Sequence, residues 1–170
     1  MHNWVFTKDL KEKVSFTERC VLELCFSLPN KGKGYCVAMD NYFSTKKLAK
    51  ILRANGIGMV GTVKPDAGEG RVPKPIRMGT DEAKKYQHNS MGYFGEKNGA
   101  CVMTWGDNTR VHLMPTVTSP DEWVEKVRHR PSRPSASVKA AFAGVHEKTM
   151  PYPKTAMVYC GKMGGCDLAD

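Results

Sequence analysis

The sequence lacks closely spaced cysteine pairs, long apolar runs and internal repeats. Its six cysteines include no Cys-x-x-Cys motif, and together with His146 they match no compact zinc signature. We therefore expect reduced thiols and no zinc site. The first residues lack the apolar segment of a signal peptide, and no run approaches the roughly 18 apolar residues of a membrane span. These absences predict an intracellular, soluble protein.

A nucleotide cofactor is not expected, although one stretch matches a glycine-rich pattern. In "GIGMVG", Gly56, Gly58 and Gly61 have the spacing Gly-x-Gly-x-x-Gly. A dinucleotide site needs these glycines between a strand and the helix that follows it. Here the predicted order is helix, glycines, strand, which indicates a helix end followed by a closely packed strand.

Positive charge is what the sequence has in excess. Lysine and arginine number 26 against 17 acidic residues, which gives a net charge of +9. This balance favours a polyanionic partner, because neutralising phosphates releases counterions. A solvated helix face is the alternative for the lysines. The candidate DNA-binding residues are Lys46, Lys47, Lys50, Arg53, Arg128, Arg130 and Arg133.

Hydrophobic periodicity predicts a mixed α/β protein with one core. Predicted helices cover residues 17–28, capped by Thr17, and 44–56, with Ser44 as N-cap and Gly56 just past the end. Strands are predicted at 35–40, buried on both faces, at 57–63 and at 110–117, with a hairpin at 91–105. A surface loop is predicted from 64 to 90. A short helix at 119–127 is followed by a basic linker or poorly ordered insertion at 129–149.

Three aspartates occupy positions that favour metal chemistry. Asp40 ends a predicted strand, Asp121 comes just past another, and Asp167 follows a glycine pair where a helix could begin. Mg²⁺ prefers a few hard oxygen ligands, and two such ions can clamp the oxygens of a phosphoryl transfer. The alternative is that each acid is a cap or turn residue.

Three long segments carry a family resemblance. "GYCVAMDNYFSTKKLAKILRANGIGMVGTVK" resembles the piggyBac transposase family, which has an apolar run, Asp-Asn-Tyr-Phe or Asp-Asn-Phe-Tyr, a helix and Val-Gly-Thr-Val/Leu in that order. "ACVMTWGDNTRVHLMPTVTSPDEWV" and "MPYPKTAMVYCGKMGGCDLAD" are similar to two later segments of the family. The resemblance runs from about residue 17 to the last residue, with its motifs in family order.

The resemblance implies a ribonuclease H-like α/β core, a mixed sheet flanked by helices, that uses Mg²⁺ or Mn²⁺ to cut and join DNA strands. Asp40 matches the first catalytic aspartate, Asp167 the third, and Asp170 an extra acid beside it. Asp121 is our choice for the second, with Asp107 as the alternative. Double-stranded DNA at transposon ends, a homodimer in intact relatives and a nuclear location are implied as well.

The same resemblance sets the expected organisation of the chain. We expect an N-terminal remnant at 1–16, a catalytic core at 17–128, an insertion or linker at 129–152 and a truncated C-terminal catalytic motif at 153–170. Family members carry more chain on both sides, so the core is expected to be incomplete at both ends. The expected function is a transposase core or its remnant; the alternative is a domesticated or decayed domain that binds DNA without cutting it.

Two local expectations follow for the region around Asp40. Asp40 and Asp121 should lie close together at one edge of the sheet, within reach of shared metal ions. Tyr42 and Phe43 should point in opposite senses, with at least one of them packed into the core beneath the site.

Overall fold

The computed structural model describes residues 13–29, 34–65, 72, 76, 87–95 and 100–167, with side chains up to residue 163. The described helices are α1 (Phe16–Ser27), α2 (Lys46–Ala54), α3 (Ala136–Phe142) and α4 (Lys154–Asp167). The described strands are β1 (Cys36–Met39), β2 (Gly58–Thr62), β3 (Met91–Gly95), β4 (Cys101–Gly106), β5 (Arg110–Pro115), β6 (Trp123–His129) and β7 (Glu147–Pro153). Within these ranges, none of the helices has the length and apolar character to span a membrane.

Five of the strands form one mixed sheet, in the order β1-β2-β5-β4-β3. β1 and β2 are parallel and are joined through α2, whereas every other neighbouring pair is antiparallel. β6 and β7 form a separate antiparallel pair. The predicted fold class, a mixed α/β sheet flanked by helices, is confirmed.

The two faces of the sheet pack against different elements. α1 and α2 cover one face with buried residues such as Leu22 and Leu52, which join Val102 of β4 in the main core. On the other face, Met103 packs with Tyr152 of β7 and with α4. Successive strand residues point to opposite faces, so neighbouring Val102 and Met103 belong to different cores.

Side-chain caps fix the starts of α1 and α2. The N-cap of α1 is Ser15 rather than Thr17, and it forms a reciprocal capping box with Glu18. The N-cap of α2 is Thr45 rather than Ser44, and its hydroxyl also donates to Glu18 at 2.6 Å. Glu18 therefore ties the starts of both helices together.

Glu18 gives the fold a measurable pH dependence. Burial raises the pKa of this carboxyl, but hydrogen bonds from Thr45 and Ser15 outweigh it, so the folded-state pKa lies below the usual value of 4.5. The stabilisation is therefore present above that value and is lost as pH falls towards the folded-state pKa. We expect a Glu18→Gln variant to unfold with a weaker pH dependence than the wild type across this acidic window. Chemical denaturation at a series of pH values measures it; parallel curves for the two proteins would contradict the assignment.

Residues 119–127 form a turn and a strand instead of the predicted helix. Ser119 and Pro120 do begin a turn, in which the Ser119 backbone N–H donates to the Glu122 carboxylate at 3.0 Å. Beyond it, β6 pairs with β7 along its whole length, from Trp123 to His129. That ladder satisfies the backbone groups a helix would otherwise satisfy, and it overrides the local helix-start signal.

Residues 129–149 contain a helix and the start of a strand rather than the predicted linker. Ser135 caps α3 through the backbone N–H of Val138. Val138 and Phe142 are buried together with Met150 of β7 in a small separate core. These three apolar side chains give a small core to a segment whose overall composition is basic and rich in proline and serine.

The strand before Asp40 also differs from the prediction. β1 pairs only with β2 among the described residues, so it lies at an edge of the sheet. Its first three residues are half-buried and only Met39 is buried. An apolar run alone does not distinguish a central strand from an edge strand that a helix covers.

Candidate functional site

Asp40 occupies a fixed turn at the carboxyl end of β1. One carboxylate oxygen, Oδ1, accepts the backbone N–H of Tyr42 at 2.8 Å, and the Asp40 carbonyl accepts the hydroxyl of Ser44 at 2.8 Å. The backbone N–H of Ser44 donates to the same carbonyl at 3.2 Å. The Asp40 side chain is exposed, so the turn holds a carboxylate in a defined position on the surface.

Gly61 in β2 allows this turn to pack closely. A Cβ at this position would lie 2.1 Å from Oγ of Ser44 and 2.9 Å from the carbonyl oxygen of Met39. Ser44 is completely buried. The glycine of the "VGT" motif therefore sets the distance between β2 and the turn that carries Asp40.

The last helix runs over the strands that lead to this turn. Tyr159 Oη lies 3.5 Å from Thr62 Oγ1 at the end of β2. Further along α4, the charge of Lys162 is close enough to affect Cys36 of β1. Burial raises the pKa of the Cys36 thiol above its usual value, and the positive charge of Lys162 partly offsets this rise. α4 thus crosses from β2 to β1 before it ends at Asp167.

Asp167 ends a helix rather than beginning one. α4 starts at Lys154 and continues through Gly164 and Gly165, so the glycine pair is not a hinge between two elements. The side chain of Asp167 and the whole of Asp170 lie outside the described residues.

Asp121 lies at the other end of the sheet from Asp40. β5 is antiparallel to β2, with Val60 opposite Pro115 and Thr62 opposite Leu113. Val60 is also opposite Ala38, so β5 ends level with Ala38, and Val117 beyond it lies beside Gly58, which is opposite Cys36 at the amino end of β1. The pKa of the Cys101 thiol agrees with this. Burial raises that pKa most, and the negative charge of Asp121 raises it further, which places Asp121 near the start of β4.

The expected proximity of Asp40 and Asp121 is therefore wrong. Ends of successive strands meet at one edge only when the strands are parallel, and β5 is not parallel to β1. The start of β4 is also three strand spacings from β1, roughly 14 Å at about 4.8 Å each.

Asp107, the alternative acid, takes part in a structural ion pair. It lies in the turn between β4 and β5, two to three strand spacings from β1. Nη2 of Arg128 lies 2.9 Å from Oδ1 and 3.0 Å from Oδ2 of Asp107. The Asp107 side chain is 23% exposed and that of Arg128 15%, so the pair is largely removed from solvent.

Aromatic rings and a histidine complete what we term the Arg128 cluster: Arg128, Asp107, His88, Trp105 and Tyr152. The guanidinium lies 5.2 Å from the ring centres of both Trp105 and Tyr152. His88 is 3.9 Å from Asp107, and burial lowers its pKa more than the aspartate raises it. The cluster fastens the β6–β7 pair to the main sheet, and no sequence motif points to it.

Metal ligands are incomplete among the described side chains. No group of three or more histidine, cysteine, aspartate or glutamate residues that could hold an ion occurs in the described ranges. Asp40 has the chemistry and exposure of an Mg²⁺ or Mn²⁺ ligand. No other candidate ligands are grouped with it among the described side chains, so these side chains alone do not form a two-metal site.

The exposed surface beside Asp40 carries aromatic and basic side chains. Tyr42 is 59% and Phe43 37% exposed, and their rings meet edge to face at 5.2 Å. The expectation that one of them packs into the core is therefore wrong. On α2, Lys47, Lys50 and Arg53 are exposed, while Lys46 lies 5.8 Å from the ring of Phe94.

Comparisons with known proteins agree with the resemblance stated above. The family model described as "Transposase IS4" matches residues 2–170. A solved structure entitled "Cryo-EM structure of piggyBac transposase synaptic complex with hairpin DNA" matches with a TM-score of 0.58 and 19% identity. The match covers 91% of this chain but 27% of the solved chain, and at this identity it shows a shared fold. No curated protein matches.

Proposed function

Since this chain belongs to the Transposase IS4 family, we propose that it is the core segment of a piggyBac-like DNA transposase, a protein that cuts DNA strands and rejoins them. The shared fold and the family match over nearly the whole chain support the proposal. The chain spans about a quarter of the length of the solved relative. The ribonuclease H-like assignment and the homodimer of intact relatives stay predictions.

Double-stranded DNA is the proposed partner. The net charge of +9 favours it, and the solved relative is, by its title, a complex with hairpin DNA. We propose that Lys46, Lys47, Lys50 and Arg53 on α2 contact phosphates, together with Arg130 and Arg133. Arg128 is left out, because Asp107 already neutralises it within the Arg128 cluster. A nuclear location follows from this proposed partner.

Asp40 and Asp167 are the proposed metal-binding pair. The path of α4 supports this pair: Tyr159 lies beside Thr62 at the carboxyl end of β2, which is the end of the sheet that carries Asp40, and the helix continues from there to Asp167. Mg²⁺ or Mn²⁺, when bound, would supply charge neutralisation at the phosphate. The chain's own contribution is the turn that holds Asp40. Asp121 is not included because β5 runs antiparallel to β1, and Asp107 is not included because the strand order places two other strands between β4 and β1.

A second candidate function is binding without cleavage. It is favoured by the absence of a metal-binding group among the described side chains. Metal-assisted phosphoryl transfer needs its ligands held within about 0.5 Å of the productive arrangement. Among the described side chains, no set of three such ligands includes Asp40.

We therefore expect the isolated chain to bind duplex DNA and to leave it uncut. Retention of a labelled duplex should fall steeply with salt, since each neutralised phosphate contributes a slope of about −0.9 in log K against log salt. In parallel, a supercoiled plasmid incubated with Mn²⁺ should stay supercoiled. The control is an Asp40→Ala variant. Nicking by the wild type that disappears in this variant would show an active nuclease and refute the inert prediction.

A further inference from the structure

A cavity opens where β6 leads into α3. Its volume is about 340 Å³, and its lining comes from the loop after β6, from α3 and from the residue before β7. The residues that line it are Arg130, Pro131, Ser132, Pro134, Lys139 and His146.

The lining has cationic groups and no acidic ones. Arg130 and Lys139 are the cationic residues, and Ser132 adds a hydroxyl. The nearest acid in sequence, Glu147, faces His129 with 3.3 Å between Oε2 and Nδ1. An anion that enters the cavity therefore meets two positive charges without a carboxylate among the lining residues.

The walls of the cavity are held in place before any ligand arrives. The backbone N–H of Arg130 donates to the His146 carbonyl at 2.8 Å, and its Nη1 donates to the Gly144 carbonyl at 3.4 Å. Asn108 donates to the Arg133 carbonyl at 3.1 Å and accepts the Ser135 N–H at 2.8 Å. Two prolines restrict the loop further. A preorganised site loses little conformational entropy on binding.

We propose that this cavity is a phosphate-binding site that receives one backbone phosphate of the DNA duplex. Arginine presents several N–H donors in a plane that matches phosphate oxygens, lysine adds a point charge, and the serine hydroxyl adds a donor. That the phosphate belongs to DNA rests on the proposed function. That the cavity binds a phosphate rests on the residues that line it.

The first test uses inorganic phosphate as the probe. Amide resonances of Arg130 and His146 in the full chain should shift on titration, while that of Lys64, after β2, should not. A Lys139→Gln variant should bind phosphate about tenfold more weakly, the effect of one lost charged hydrogen bond. Lys139 is exposed, so an unchanged melting temperature confirms that the variant is folded. No shift at Arg130, or the same affinity in the variant, would overturn the site.

The second test uses duplex DNA and a matched control. Lys148 is also exposed and nearby, but its ammonium donates to the Ala141 carbonyl at 2.7 Å and it does not line the cavity. Lys139→Gln should reduce the salt slope by about one and the affinity about eightfold at 0.1 M salt. Lys148→Gln should change the affinity by less than about twofold.

The outcomes separate the two proposals. Equal losses in both variants would overturn the cavity as a DNA contact and leave DNA binding intact. A wild-type chain that binds phosphate in the cavity but not the duplex would overturn the DNA partner instead. Selective loss in Lys139→Gln supports both.

Discussion

Replacing Arg128 by methionine is expected to lower the free energy of unfolding by about 3–5 kcal/mol. Methionine keeps the apolar contact with Trp105 and Tyr152 but removes the guanidinium. Asp107, whose side chain is 23% exposed, would then be left without its partner at 2.9 Å. A carboxylate that cannot be paired or fully hydrated is the source of the loss. The effect should be large although the substituted residue belongs to no catalytic motif.

Urea denaturation of single and double variants measures this effect. Asp107→Asn in the Arg128→Met background should restore part of the lost stability, because it removes the uncompensated charge. Arg19→Met provides the comparison: Arg19 and Glu23 form an exposed pair at 3.4 Å on α1. That pair is expected to contribute less than about 0.5 kcal/mol. Equal losses for Arg128→Met and Arg19→Met would contradict the structural role of the Arg128 cluster.

Gly61→Ala is the second substitution with a large expected effect. The added methyl group would overlap Oγ of Ser44 at 2.1 Å and press on the Met39 carbonyl at 2.9 Å. Because one contact is with backbone, rotation of the serine cannot relieve all of it. We expect a loss of about 1–3 kcal/mol, the usual effect of overpacking. The turn that carries Asp40 should shift as well, since the Ser44 hydroxyl donates to its carbonyl.

Gly95→Ala is the matched control, because no described atom lies within 4 Å of a Cβ added at this position in β3. It should leave the unfolding free energy within about 0.5 kcal/mol of the wild type. Ser44→Gly combined with Gly61→Ala should recover part of the loss by removing one of the two clashes. Thermal unfolding of the wild type, the two single variants and the double variant measures these differences in stability. A Gly61→Ala protein as stable as Gly95→Ala would show that the turn does not depend on this close approach.

Local signals in the sequence predict the βαβ unit around Asp40 well. The apolar stripe of α2, with Leu48 and Leu52 fully buried, follows directly from 3.6-residue periodicity. Gly56 has a φ of 72°, the left-handed conformation expected just past a helix end. These features depend on residues that are close in the chain, which is why a pattern reveals them.

Features that depend on distant pairing could not be predicted. The direction of β5 relative to β1 decides where Asp121 lies, and it is set by pairing between residues more than fifty positions apart. From the sequence, Arg128 is a candidate DNA contact because it is a basic residue. Its ion pair with Asp107, which only the structure reveals, gives it a structural role instead. Residues 119–127 begin with strong helix signals, yet from Trp123 onwards they form a strand that pairs with β7. In each case tertiary pairing outweighs a local preference.

The strand order β1-β2-β5-β4-β3 also has a consequence for synthesis on the ribosome. β2 ends at Thr62, and β5, which covers its second edge, begins at Arg110. Translation at about 5–20 residues per second separates these points by roughly 2–10 s. During that interval the nascent chain presents β2 as an uncovered edge that includes Met59 and Val60, a template for pairing with a strand of a neighbouring chain. Slower elongation between these two strands would lengthen the exposure, so the yield of folded protein should depend on codon usage in this segment.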